Sequence, residues 1–352
     1  MTPPGSGGRS PWRFLLSGLF ACLLGCSGDP SVARFENYRE RLARSVKLAP
    51  VDAIPIEPRT RPPRRSLALE ATEQSIGLLS FLKLYDCALW QTVGERNSAL
   101  GKVATASQRL FTELDFLRLA PDCIASLKGR GEDALAAQLS TALEIKRHEL
   151  PIRIWQATLG SEEFEQLWHI PLELGAYDAD ADLALETPLA TLGSWVARWL
   201  DGDHRYDSEA FELALGAVRH GNAGYWLRAA ALTESQLRAA SDTVERRLAG
   251  RPLCFDGKAN QQARIFLNVV QGYFVGDVQV WAASINRVLY RVVPAHARLE
   301  HALETVQPSV YQDWAEARDT QLNALSGASR DHVATLQPLL QRCGLLPARA
   351  TG

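Results

Sequence analysis

The chain has 352 residues, of which 46% are hydrophobic and 22% charged, a balance that suits a packed globular core and excludes a disordered or low-complexity protein. Its formal charge is −2, which offers no basic surface for nucleic acid. Six cysteines are present, with no Cys-x-x-Cys spacing, so a zinc site or a thioredoxin-like centre is not indicated.

The N-terminus follows a secretory plan. Arg9 and Arg13 precede the apolar run Phe14–Leu24, which is shorter than the ~20 apolar residues a spanning helix needs. The run ends in Leu23-Leu24-Gly25-Cys26, which resembles the lipobox of bacterial lipoproteins. That resemblance implies cleavage after residue 25 and acylation of Cys26, with the acyl chains as a membrane anchor. In the sorting rule of such proteins an Asp after the Cys retains them at the inner membrane. Ser27 stands there, so the resemblance points to the periplasmic face of the outer membrane. Loss of Arg9 and Arg13 takes the formal charge from −2 to −4.

Residues 26–65 are read as a lipid anchor, a short amphipathic helix and a Pro/Arg-rich tether. Phe35, Tyr38, Leu42 and Val46 recur at helical spacing, on a helix docked on the body or lying near the membrane. Residues 49–65 contain five prolines, which exclude a helix. Arg59, Arg61, Arg64 and Arg65 make this stretch basic, and a solvated strap around the body is preferred to contact with anionic headgroups.

Residues 66–346 read as one all-α domain, a single large multi-helix bundle, and residues 347–352 as a flexible tail. Leu78, Leu82, Leu89 and Val93 stripe a first long helix. Leu110, Leu114 and Leu117 stripe a second, which Pro121 redirects. Leu135, Leu139 and Leu143 stripe a third, which Pro151 ends or kinks. Shorter helices fit 161–169, 180–200, 206–219 and 223–249. The stretch 260–292 is the most apolar, interrupted by Gly272 and Gly276, and its interspersed charges argue for a buried helix over a membrane span. Pro294 and Pro308 suit first turns, Ser329 an N-cap, and Gly344 a C-terminal cap.

With Cys22 lost with the signal and Cys26 acylated, Cys87, Cys123, Cys254 and Cys343 remain, and in an oxidising compartment they can pair in three ways. Helices running to and from a turn at Gly101 bring Cys123 back to about the level of Cys87, which leaves Cys254 for Cys343.

The blocks Tyr38-Arg39-Glu40-Arg41-Leu42-Ala43-Arg44 and Cys87–Val103, with its Glu95-Arg96-Asn97-Ser98-x-Leu-Gly core, resemble an uncharacterised family of gammaproteobacterial lipoproteins known only as a domain of unknown function. The resemblance implies a helical, envelope-anchored protein and transfers no activity or site.

Chemistry-bearing clusters are sparse. Glu95, Arg96, Asn97 and Lys102 are the candidate polar pocket. The preferred alternative has Asn97 and Ser98 capping backbone groups and Glu95 paired with Arg96 or Lys102. Ser80-x-x-Lys83 copies a serine-enzyme motif, but no Lys-Thr-Gly accompanies it and Ser284-Ile-Asn286 lies in an apolar helix. Asp178, Asp180 and Asp182 start like a calcium loop, but Leu183 and Leu189 stand where Gly and Glu belong, so they read as helix-start acids. His296, Glu300 and Glu304, with His301 beside them, read as a solvated helix face. The seven tryptophans from Trp155 to Trp314 read as core. No catalytic residue, metal ligand or cofactor is assigned. The leading expectation is a non-enzymatic envelope protein that contacts a protein or cell-wall partner. A binding module for a lipid or small polar ligand comes second, and a cell-wall or lipid hydrolase third.

Overall fold

In the computed structural model, residues 29–72 and 81–346 are described. The expected signal at 1–25, Cys26, Leu78, Ser80 and the expected tail at 347–352 lie outside them. Among the described residues the regular secondary structure is helix, with a lone antiparallel bridge between Phe255 and Lys258.

Helix α1 (Pro30–Ser45) starts where Asp29 accepts a hydrogen bond from the Ser31 N–H at 2.9 Å, with Pro30 in the first turn. Its stripe of Phe35, Tyr38 and Leu42, with Val46 beyond its end, is fully buried. Each such side chain stabilises by roughly 1.5–3 kcal/mol on leaving water. The helix is therefore docked on the body.

Residues 49–65 are the strap that the prolines predict, tied by its backbone to the body. The Val51 N–H donates to Thr243 Oγ1 (3.2 Å), and the Ile54 carbonyl accepts from Ser235 Oγ (2.6 Å). Further along, the Arg59 N–H donates to Gln321 Oε1 (2.8 Å) and buried Arg61 reaches the Leu159 carbonyl (2.6 Å). The strap makes one 3-10 turn at Arg64–Ser66, after which Trp155 Nε1 donates to the Leu67 carbonyl at 2.9 Å, and it runs on to residue 72.

The expected helix over Leu78–Val93, of which residues 78–80 lie outside the described residues, is broken. Residues 83–88 are turns, Leu82 is 52% exposed, and α2 spans Leu89–Asn97. The short α3 (Ala99–Lys102) follows. Helices α4 (Ala106–Gly129) and α5 (Asp133–Ala157) form an antiparallel pair turned at Gly131, whose φ of 76° suits glycine. Thr105 and Gln108 close a capping box at the start of α4. Pro121 and Pro151 lie inside these helices and end neither.

Next come α6 (Glu162–Leu167), α7 (Ala179–Leu183), α8 (Glu186–Leu200), α9 (Ser208–Arg219) and α10 (Ala223–Ala249). Helix α11 (Gln261–Val269) passes through a π-helical stretch at Val270–Val278 into α12 (Gln279–Ala302). The two glycines thus mark a change of helical winding in a continuous rod. Helix α13 (Ser309–Arg342) runs about 51 Å at ~1.5 Å per residue and packs along α10.

Two further boundary expectations fail. Pro294 lies inside α12, and Ser329 lies inside α13 with its hydroxyl bonded back to the Leu325 carbonyl. Pro121 and Pro294 are both exposed, so the missing backbone donor falls on the watered side of its helix while the apolar face continues unbroken. Pro308 does precede α13. Gly344 (φ 63°) does cap it: the Leu345 N–H donates to the Leu340 carbonyl and the Gly344 N–H to the Gln341 carbonyl, a Schellman motif.

Two disulfides join Cys87 to Cys123 and Cys254 to Cys343, with Cα atoms 5.4 and 5.2 Å apart. One contiguous core runs from Phe35 to Cys343 and takes in Trp155, Trp168, Trp199, Trp226, Trp281 and Trp314; Trp195 packs on it half-buried.

Candidate functional site

The polar residues singled out after Cys87 do not converge on one another. Glu95 accepts from Gln91 Nε2 at 3.0 Å. Ser98 donates to the Glu95 carbonyl and accepts from the Gly101 N–H, so it acts as a cap. Asn97 is exposed, and the Lys102 side chain is outside the described set. Arg96 turns inward to Glu113 (3.6 Å) on α4, which also pairs with Lys146 on α5. Burial pushes the Lys146 ammonium pKa down, and Glu113 pulls against that shift. This ion cluster holds the α4–α5 pair to α2. Lys83, of the serine-enzyme motif, pairs with Glu132 at 2.7 Å.

The helix face carrying His296 and Glu300 is buried, contrary to the solvated face expected there. Only its outer end is solvated, where Glu304 pairs with His301. Glu300 on α12 receives both terminal nitrogens of Arg318 on α13 (2.7 and 3.0 Å), and the Tyr311 hydroxyl donates to it at 2.6 Å. His296 Nδ1 lies 3.2 Å from its other oxygen. Trp168 Nε1 reaches His296 Nε2 at 3.4 Å, which makes Nδ1 the ring atom that donates to Glu300. The Arg318 guanidinium lies between the rings of Trp168 and Trp314, 5.0 and 4.9 Å from their centroids. Burial pushes the Glu300 carboxyl up, but His296 and Arg318 outweigh it and hold the group below the usual carboxylate range. Burial alone would lower Arg318, and Glu300 raises it instead. The enclosed space beside this centre is about 10 Å³, room for one water at most. A carboxylate that already accepts from three side chains, with its own side chain 13% exposed, ties α12 to α13.

Two smaller networks complete the interior. Trp226 Nε1 donates to buried Asp182 at 2.7 Å, while Asp178 caps α7 as a helix-start acid should. His332 on α13 lies 2.6 Å from Tyr38 Oη on α1 and 2.8 Å from Ser241 Oγ on α10, and burial pushes its pKa down to about 3. A neutral imidazole has one donor and one acceptor, so one of the two hydroxyls donates and the other accepts.

On the surface, Thr187, Thr191, Ser194 and half-buried Trp195 of α8 line an open groove of about 490 Å³, bounded by the Glu186–Arg291 ion pair (2.7 Å). It sets hydroxyls beside an indole that rests on Trp199 and Phe211. Among the described residues, no three His, Cys, Asp or Glu side chains are placed to hold a metal, and no helix is long and apolar enough to cross a membrane.

Fold and interior together define a disulfide-bonded helical protein with sealed ionic centres and an open surface groove. Residues 35–347 match the family described as a protein of unknown function, DUF3080, and the chain belongs to that family. No curated protein and no solved structure matches it.

The sequence signal for the Glu300 centre was the i, i+4 pair His296/Glu300. Its burial depends on Arg318, which arrives from another helix.

Proposed function

We propose that this protein is a lipoprotein of the cell envelope, anchored through Cys26 at the periplasmic face of the outer membrane, where its helical body binds a protein or cell-wall partner. One observation carries the reading. The two disulfides use Cys87, Cys123, Cys254 and Cys343, and the two cysteines that remain, Cys22 and Cys26, both fall in the secretory stretch. Disulfides form and persist outside the reducing cytosol, which agrees with export. The polar centres described above are internally paired, which favours binding over catalysis.

Metabolic labelling with a clickable fatty acid tests the anchor. The wild-type chain takes up label and fractionates with outer membranes. Cys26→Ser takes up none and appears in the soluble periplasmic fraction. An unlabelled wild-type chain overturns the reading.

A second reading, capture of a small polar ligand, is favoured by the groove of Thr187, Thr191, Ser194 and Trp195. Hydroxyls around an aromatic face suit the polar edges and apolar face of a sugar.

A further inference from the structure

We infer that the loop 169–178 is a membrane-contacting wedge, with Leu172 at its tip seated in the lipid headgroup region, so that the body lies flush on the bilayer. The inference rests on the acylated Cys26 proposed above.

Chain length sets the first constraint. The body does not begin after the Pro-rich stretch: it begins at Asp29, which caps the docked helix α1. Three residues of chain reach at most about 11 Å, so an acylated Cys26 keeps Asp29 within that distance of the bilayer surface. The strap at 49–65 adds no slack, because it lies beyond α1 and is bonded to the body.

The loop beside Asp29 supplies the second constraint. Asp29 Oδ2 accepts from the Leu174 N–H at 2.6 Å, tying the loop to the start of α1. Leu174 is buried, and Tyr177 stacks on Tyr225 at 4.6 Å. At the other end, the His169 carbonyl presses on Gly224 of α10 so closely that a side-chain carbon there would collide with it. Between these fixed ends the chain presents Ile170, Pro171 and Leu172, and Leu172 is 89% exposed. A large apolar side chain held outward on a loop with both ends fixed has already met its ordering cost. Leu172 is two residues, at most about 7 Å, from the residue bonded to Asp29.

Charge selects the kind of surface. Glu173, Asp178 and Asp180 are exposed in and just after the same loop, so attraction to anionic headgroups cannot hold it. Contact is apolar and tolerates salt.

The test uses the acylated full-length protein in vesicles of phosphatidylethanolamine with a minor share of phosphatidylglycerol. A bimane label at Leu172→Cys is compared with one at Ala249→Cys, exposed at the far end of the 27-residue α10. Brominated acyl chains should quench the label at 172 at least about twofold more than that at 249, as expected for a group ~5–10 Å into the interface. The difference should persist in molar salt. Binding of vesicles should also slow hydrogen exchange over 169–176 in the wild type and not in Leu172→Asp. Equal quenching at both sites, or quenching abolished by salt, overturns the wedge while the anchor stands. Absence of the acyl group by mass spectrometry overturns both.

Discussion

Glu300 and Arg318 show how a buried pair depends on both members. Arg318 is 2% exposed and its guanidinium has Glu300 as its main counter-charge. Glu300→Ala leaves the buried cation with only the half-exposed Asp319, 2.8 Å from its Nε, and should cost about 3–5 kcal/mol in urea unfolding, whereas replacing Glu300 and Arg318 together by apolar residues of similar volume should recover most of that loss. His332 gives a pH signature. Its pKa is about 3 when folded against 6.5 for the free side chain, so below about pH 6.5 the unfolded chain takes up a proton that the folded chain refuses. The stability conferred by a neutral His332 is complete above that pH and is lost as pH falls toward 3, by at most about 1.4 kcal/mol per unit. Unfolding midpoints at pH 7 and pH 5 should differ in the wild type, and His332→Phe should shrink the difference. An unchanged difference would remove His332 as its source. Both residues stand in the sequence as ordinary polar positions on amphipathic helices. Their roles come from partners 18 residues away for Glu300, and 294 and 91 residues away for His332.

Among the elements, the prolines are the most instructive. Pro121, Pro294 and Pro338 are exposed and sit inside α4, α12 and α13. A proline costs a helix about 3 kcal/mol locally, but burying the apolar faces on either side outweighs that. Local rules therefore place helix ends where the fold has none. Pro50, Pro55, Pro58, Pro62 and Pro63 lie together, no helix can absorb them, and the strap follows. Helix α13 is fastened at its end by Cys254–Cys343, which closes a span of 89 residues. Loop closure of that size restricts the unfolded chain by about 4–5 kcal/mol. The double variant Cys254→Ser/Cys343→Ser should lose stability on that scale and exchange amide hydrogens faster over residues 336–346. Unchanged protection there would mean that packing against α10 alone holds the helix end.

The whole molecule is one core wrapped by its own N-terminal segment. Helix α1 fills part of that core, and the strap crosses α10 and α13 before reaching α5. A basic, proline-rich stretch after an anchor reads as a spacer, yet here it is bound backbone to side chain, and the chain's entry point at Asp29 lies on the body itself. That placement brings residue 29 and the 169–178 loop to the same end of the protein. Under the anchoring proposed above, deleting or lengthening residues 49–65 would disturb the core without moving the body away from the membrane.

The sequence by itself determined the helical class, the stripe of α1, the extended strap and the Gly344 cap; it also pointed to the two disulfides, but through a long helix before Gly101 that the fold replaces with turns at 83–88. The first four follow from short-range rules: apolar spacing, proline's missing donor and glycine's tolerance of positive φ. Tertiary structure alone decided that His296 and Glu300 are interior, that Arg96 turns to Glu113, that helices run through their prolines, and that Leu172 is presented beside Asp29. These depend on which helices meet. Burial of a polar group and the direction of an exposed one are properties of the packed body, set by contacts that no local spacing encodes.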